Sequence, residues 1–181
     1  MKMITYSLLL IIGGLAVIIT CLEVFTSYDV SESINKKAPV KTYQEITINA
    51  SPKEVFRIMS DIDYWEEWHS DVKEPKLNGL FKKGSSFDWK SGGLTIHSTL
   101  HTVIPERKIA WSGKAFGAFA IHNWSFIEKE GKTVVRVEES MEGWLVYLLQ
   151  NTFQRGLEDS LKVWLKNLKI KAESSTLKKQ K

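Results

Sequence analysis

Three patterns of apolar and polar positions divide the chain. The first is a charge-free run from Ile4 to Leu22, lying between Lys2 and Glu23. It is about as long as a helix must be to cross a bilayer, and the Gly13-Gly14 pair in its middle is tolerated in such helices. The second is alternation with period two. It covers Lys41–Ala50 and resumes over Val72–Leu77, Ser85–Lys90, Leu94–Ile104, Lys108–Lys114, Phe119–Lys129 and Thr133–Glu142. Turn signals separate these strands: Asn78-Gly79, Ser91-Gly92-Gly93, Pro105-Glu106-Arg107, Gly117 and Glu130-Gly131. The third is a stripe at helical spacing, made of Leu149, Phe153, Leu157, Leu161, Leu165 and Leu168, with Trp164 beside it. It predicts one helix from Trp144 to about Ala172, roughly 40 Å long. Gly156 adjoins the stripe and would admit a ligand or a neighbouring backbone.

Two short helices follow the first strand. Ser51-Pro52-Lys53-Glu54 is a capping box with proline at the first helical position, and Val55, Ile58, Met59 and Ile62 continue at helical spacing. A second helix starts near Asp63 and carries Trp65 and Trp68. Strands joined by tight turns make an antiparallel sheet. The expected class is therefore α+β: a curved antiparallel sheet of about seven strands wrapped around a long C-terminal helix, which buries the apolar face of each. The start of that helix, Trp144 to Leu149, is apolar all round. It can pack in the core, close a pocket mouth or touch a bilayer.

The charge-free run has three readings. A cleaved signal peptide finds no small-x-small site at Ile18-Ile19-Thr20. A lipoprotein signal ending at Cys21 would have Thr20 where glycine or alanine is usual. A retained transmembrane anchor fits best. Residues 1–25 are then the anchor, 26–41 a polar linker, 42–173 the folded domain and 174–181 a basic tail expected to fray. Positive charge is slightly heavier before the run than just after it, which favours an extracytoplasmic domain.

Composition narrows the function. At 43% hydrophobic and 25% charged the chain is globular, and a net charge of +4 is too mild to imply nucleic acid. The single Cys21 excludes an internal disulfide and a multi-cysteine zinc site. His97 and His101 lie on one strand about 13 Å apart, too far for one metal ion. No P-loop, G-x-S-x-G, H-E-x-x-H or dinucleotide fingerprint occurs, so neither cofactor nor metal is implied. His69, after Trp68, is expected on an exposed helix end. The lysines near the C-terminus, Lys166, Lys169, Lys171, Lys178, Lys179 and Lys181, read as a solvated face or as contacts to anionic lipid.

A family resemblance then emerges. Its residues are Gly84–Gly93, Val103-Ile104-Pro105, Ile109–Gly113, Ile121–Phe126 and Glu138-Glu139-Ser140, with Ser51-Pro52, Val55-Phe56 and Trp65–Trp68 before them. In this order and spacing they resemble the polyketide cyclase/dehydrase-type branch of the SRPBCC (START-like, helix-grip) superfamily, over about Tyr43 to Glu173. The resemblance implies a deep hydrophobic pocket between sheet and C-terminal helix, and binding of lipids, sterols or polyketide-like molecules. It carries over no universal catalytic residue, and the N-terminal segment is outside the family pattern.

Period two assigns faces to the strands. His122, Trp124 and Phe126 share one face; Val135, Val137, Glu139 and Met141 share another. With Glu130 and Gly131 at the centre of the hairpin turn, Trp124 pairs with Val137 and His122 sits across from Glu139. Two polar residues then meet on an apolar wall. They can satisfy each other, present a polar group to a ligand, or act as acid/base with Glu139 orienting His122. The expected ligand contacts are Phe87, Trp89, Ile96, Ser98, Trp111, His122, Trp124, Glu139, Met141, Phe153 and Leu157. The favoured function is a membrane-anchored binding protein for a small hydrophobic ligand or lipid. The alternatives are a cyclase/dehydrase- or hydrolase-like enzyme using His122 with Glu139, and an interaction domain with a filled pocket.

Overall fold

The computed structural model describes residues 2–28 and 30–179, and the side chains of these except 2–5, 8, 178 and 179. Helix α1 spans Lys2–Phe25. The sheet follows: β1 (Val40–Ile48), β2 (Lys73–Asn78), β3 (Ser86–Ser91), β4 (Leu94–Ile104), β5 (Lys108–Ala115), β6 (Ala118–Lys129) and β7 (Lys132–Glu142). All pairings are antiparallel, in the order β1-β7-β6-β5-β4-β3-β2. Helix α2 (Pro52–Ser60) and a 3-10 helix (Ile62–Glu67) connect β1 to β2. The Ser51 hydroxyl caps α2 by accepting from the Glu54 backbone N–H at 3.3 Å. The period-two positions form the seven expected strands, each end within about two residues of its expected place.

The C-terminal helix requires a correction. It is two helices, α3 (Trp144–Leu148) and α4 (Gln150–Lys179), broken at Leu149 with φ −119° and ψ 35°. The cause is tertiary. The Leu145 N–H donates to the Gly117 carbonyl at 3.1 Å, which holds α3 beneath the β5–β6 turn. The approach is so close that a Cβ on Gly143 would strike the Gly117 carbonyl oxygen. Within α3 only Val146 is buried, while Tyr147, Leu148 and Leu149 face outward. Core packing therefore does not explain the apolar start. The tail, expected to fray from Ser174, stays helical through Lys179. Ser174, Ser175 and Thr176 donate their hydroxyls to carbonyls one turn back.

From Leu157 onward the stripe is buried against the sheet at Leu157, Leu161, Trp164, Leu165, Leu168 and Ala172. α4 also covers the free edge of β1. Gln154 donates to the Lys41 carbonyl (3.1 Å), Lys169 to the Thr47 carbonyl (2.6 Å), and Gln44 reaches back to the Glu158 carbonyl (2.8 Å). At the other flank, β2 carries a register shift between Lys73 and Lys76, with Glu74 at φ 50°.

The stretch expected as a polar linker lies against the outer face of the sheet. The Asn35 N–H donates to Ser140 Oγ (3.0 Å), its amide donates to Glu142 (3.0 Å), and Asn123 donates to the Glu32 carbonyl (3.3 Å). Tyr28 stacks on Phe119 with centroids 4.9 Å apart. These contacts account for the burial of Ile121, Asn123 and Ser140 on a face that would otherwise meet water. Among the described residues no helix is long and apolar enough to cross a membrane. The expected span, Ile4 to Leu22, falls partly outside the residues whose side chains are described.

Candidate functional site

The inner wall of the sheet grades from large to small side chains. Trp111, Trp124 and Phe126 crowd one end, and Trp65 from the 3-10 helix packs on Phe87, Trp89, Trp111 and Trp164 to close it. The Trp65 indole is fixed by donating to the Met59 carbonyl at 3.0 Å. Toward the other end the inward positions shrink to Gly113, Ala115, Ala118 and Ala120, which the register pairs as Gly113 with Ala120 and Ala115 with Ala118. Small residues facing α4 cannot fill the space that the tryptophans fill further along. A cavity of about 320 Å³ results, within the size range of small-molecule sites.

Trp89, Ile96, Trp111, His122, Trp124, Glu139, Met141, Phe153 and Leu157 line this cavity, as do Trp164, Gly156, Thr152 and Ser160 from α4. Phe87 and Ser98 stand behind its wall. Phe87 is wholly buried, edge-on to Trp65, and Ser98 accepts the Trp89 indole N–H at 3.1 Å. Sequence reasoning left Trp164 and the small residues out of the site. A readable signal existed: Ala118 and Ala120 lie four and two residues before His122, on the same face.

The β6–β7 hairpin turns on Glu130 (φ 53°) and Gly131 (φ 74°), which sets His122 opposite Glu139. Their side chains meet at 2.7 Å between Nδ1 and Oε2, nearly buried at 11% and 3% exposure. The approach is ion-pair close but not aligned as a hydrogen bond, and Glu139 Oε2 has no aligned protein donor. The imidazole stacks on Trp111 with centroids 5.0 Å apart and planes within 18°. The indole N–H groups of Trp111 and Trp124 are likewise buried without a protein acceptor. Two donors and one acceptor thus stand unsatisfied on residues lining an apolar cavity, an arrangement costly to leave unmade. His122 and Glu139 are the only titratable residues among the described lining.

The other histidines divide. His97 is exposed and meets Asp88 at 2.5 Å. His101 sits at the β4 bulge between Leu100 and Thr102, where burial lowers its pKa. His69 corrects the expectation of an exposed helix end. It is 1% exposed, 4.1 Å from the Trp164 ring centroid, and both ring nitrogens lack hydrogen-bond partners. Burial pushes its pKa down to about 4, so it is neutral at pH 7.

A curved antiparallel sheet gripping a long helix over an apolar, tryptophan-walled hollow defines a START-like, SRPBCC-type ligand-binding fold. Residues 39–173 match the family described as polyketide cyclase / dehydrase and lipid transport, and the chain belongs to that family. No curated protein matches it. Among solved structures, it is similar to a hypothetical protein of Helicobacter pylori: 14% identity, 81% of this chain and 99% of that one covered, TM-score 0.69. It is also similar to a START superfamily protein of Mycobacterium smegmatis, at 14% identity, 74% and 97% coverage and TM-score 0.65. The di-domain ARO/CYC protein StfQ of the steffimycin biosynthetic pathway shares 15% identity over 76% of this chain and 51% of its own, with TM-score 0.66. At these identities the likeness is one of fold.

Proposed function

We propose that the protein is a membrane-anchored binding protein for a small hydrophobic molecule or lipid carrying at least one hydroxyl or carbonyl oxygen. The observation that carries this reading is the apolar cavity interrupted midway by Glu139 and His122. Apolar burial drives entry at about 25 cal/mol per Å² before costs. A hydroxyl or carbonyl oxygen of the ligand would lie against the His122–Glu139 pair, the polar stretch of the lining. Binding is preferred over catalysis because, among the described residues, the cavity lining offers no titratable side chain beyond the pair itself. An open volume of about 320 Å³ also speaks against a filled, purely structural pocket.

Anchoring draws on α1, 24 residues long and apolar around its circumference, with Leu10 78% and Val17 63% exposed. Such a helix needs an apolar surrounding. The slight excess of positive charge before the apolar run supports an extracytoplasmic domain. The test is organic extraction and mass spectrometry of the purified chain, with titration of hydroxylated and plain hydrophobes followed by tryptophan emission. Trp89, Trp111, Trp124 and Trp164 line the cavity, so occupancy must change that emission. An extract without hydrophobe, together with unchanged emission across the panel, rejects the reading.

A further inference from the structure

The exit of α1 and the mouth of the cavity lie at one end of the sheet. Glu23, the first charged residue after the apolar run, accepts from the Gly117 backbone N–H at 2.6 Å and from the Trp144 indole at 2.7 Å. Those two residues belong to the β5–β6 turn and the start of α3. Around them apolar side chains project outward: Phe116 is 50% exposed, Tyr147 62%, Leu148 71% and Leu149 44%. Ala115, just before Phe116, and Ala118, two residues after it, line the cavity, and Leu149 is followed one turn later by the cavity residues Thr152 and Phe153. The β3–β4 turn, with Ser91 and Gly92 on the lining, comes to the same end.

We propose that this apolar knob is a membrane-docking surface, and that the cavity opens directly onto the bilayer that holds α1. The proposal rests on the anchored reading above and adds where the ligand comes from: the lipid phase, without a passage through water. Continuity carries it. A helix buried up to Leu22 and pinned by Glu23 leaves Phe116, Tyr147 and Leu148 at headgroup depth, where aromatic and apolar side chains are favoured. Exposed to water alone, a cluster of this kind has no stabilising role.

The test uses the full chain with Cys21→Ser, carrying one introduced cysteine at a time: Leu148→Cys, Tyr147→Cys, Val17→Cys in α1, or Lys129→Cys at the far end of the sheet. Each is labelled with an environment-sensitive fluorophore in vesicles of phosphatidylcholine and phosphatidylglycerol, with nitroxide lipid and aqueous iodide as quenchers. The expected result is several-fold stronger lipid quenching at positions 148 and 147 than at 129, with matching protection from iodide. Position 17 protected while 148 and 147 behave like 129 overturns docking and leaves the anchor standing. Position 17 open to iodide overturns the anchor. In that case protected 147 and 148 support docking by themselves, and open ones overturn it as well.

Discussion

Gly156 offers a substitution whose two effects have opposite signs. It sits within α4 on the cavity wall, and a Cβ added there meets nothing within 4 Å. Its backbone is helical, so alanine fits without strain. Glycine inside a helix costs about 1 kcal/mol relative to alanine, and the added methyl, which touches nothing in the empty protein, contributes little by packing. Gly156→Ala should therefore stabilise the empty protein by about 1 kcal/mol, a rise in Tm of about 2–4 °C for a chain of this size. The same methyl occupies ligand space. Overpacking against a bound molecule costs about 1–3 kcal/mol, which weakens Kd roughly 5- to 150-fold. Thermal melts in detergent and titration by tryptophan emission measure the two effects on one preparation. Arg155→Ala, one residue earlier and exposed, should leave Kd unchanged. A Gly156→Ala protein that binds as before refutes the idea that ligand occupies the space before α4, and one that melts lower refutes the helix argument.

Three further outcomes follow from the geometry. Glu139→Leu alone strands the buried His122 and should cost about 3 kcal/mol in urea unfolding, whereas His122→Phe with Glu139→Leu should recover most of it and shift preference to ligands without hydroxyls; equal losses in both variants contradict the pairing. His69 is neutral when folded and titrates near 6.5 when unfolded, so stability is full above pH 6.5 and falls by about 3 kcal/mol as pH drops through about 4; denaturant midpoints measured against pH should flatten in His69→Leu, and an unchanged slope contradicts the burial argument. Gly143→Ala, at φ 129° and against the Gly117 carbonyl, should destabilise by about 2 kcal/mol or more and loosen α3; a wild-type melt would show that the α3 junction adapts freely.

What could be read from the residues follows from how local each cause is. Period two and the Glu130-Gly131 turn act within one hairpin, so the pairing of His122 with Glu139 was legible before any coordinates. The cavity was legible as a place but not as a shape. Its hollow comes from Gly113 and Ala120 being small together on neighbouring strands, which no single segment displays. The break at Leu149 leaves no proline or glycine as a mark, because it arises from the hold of Gly117 on Leu145. Burial of His69 depends on Trp164, far away in sequence. The strap over the outer sheet face works through Glu32 and Asn35, polar contacts without any period to detect.

The two flanks of the sheet have a consequence for self-association. An unguarded outer strand recruits another strand and so seeds fibres. Here one flank has its backbone groups taken up by Gln154 and Lys169, and the other is bent by the irregularity around Glu74. Many copies crowded together should therefore tolerate close neighbours without zipping into ribbons through their strand edges.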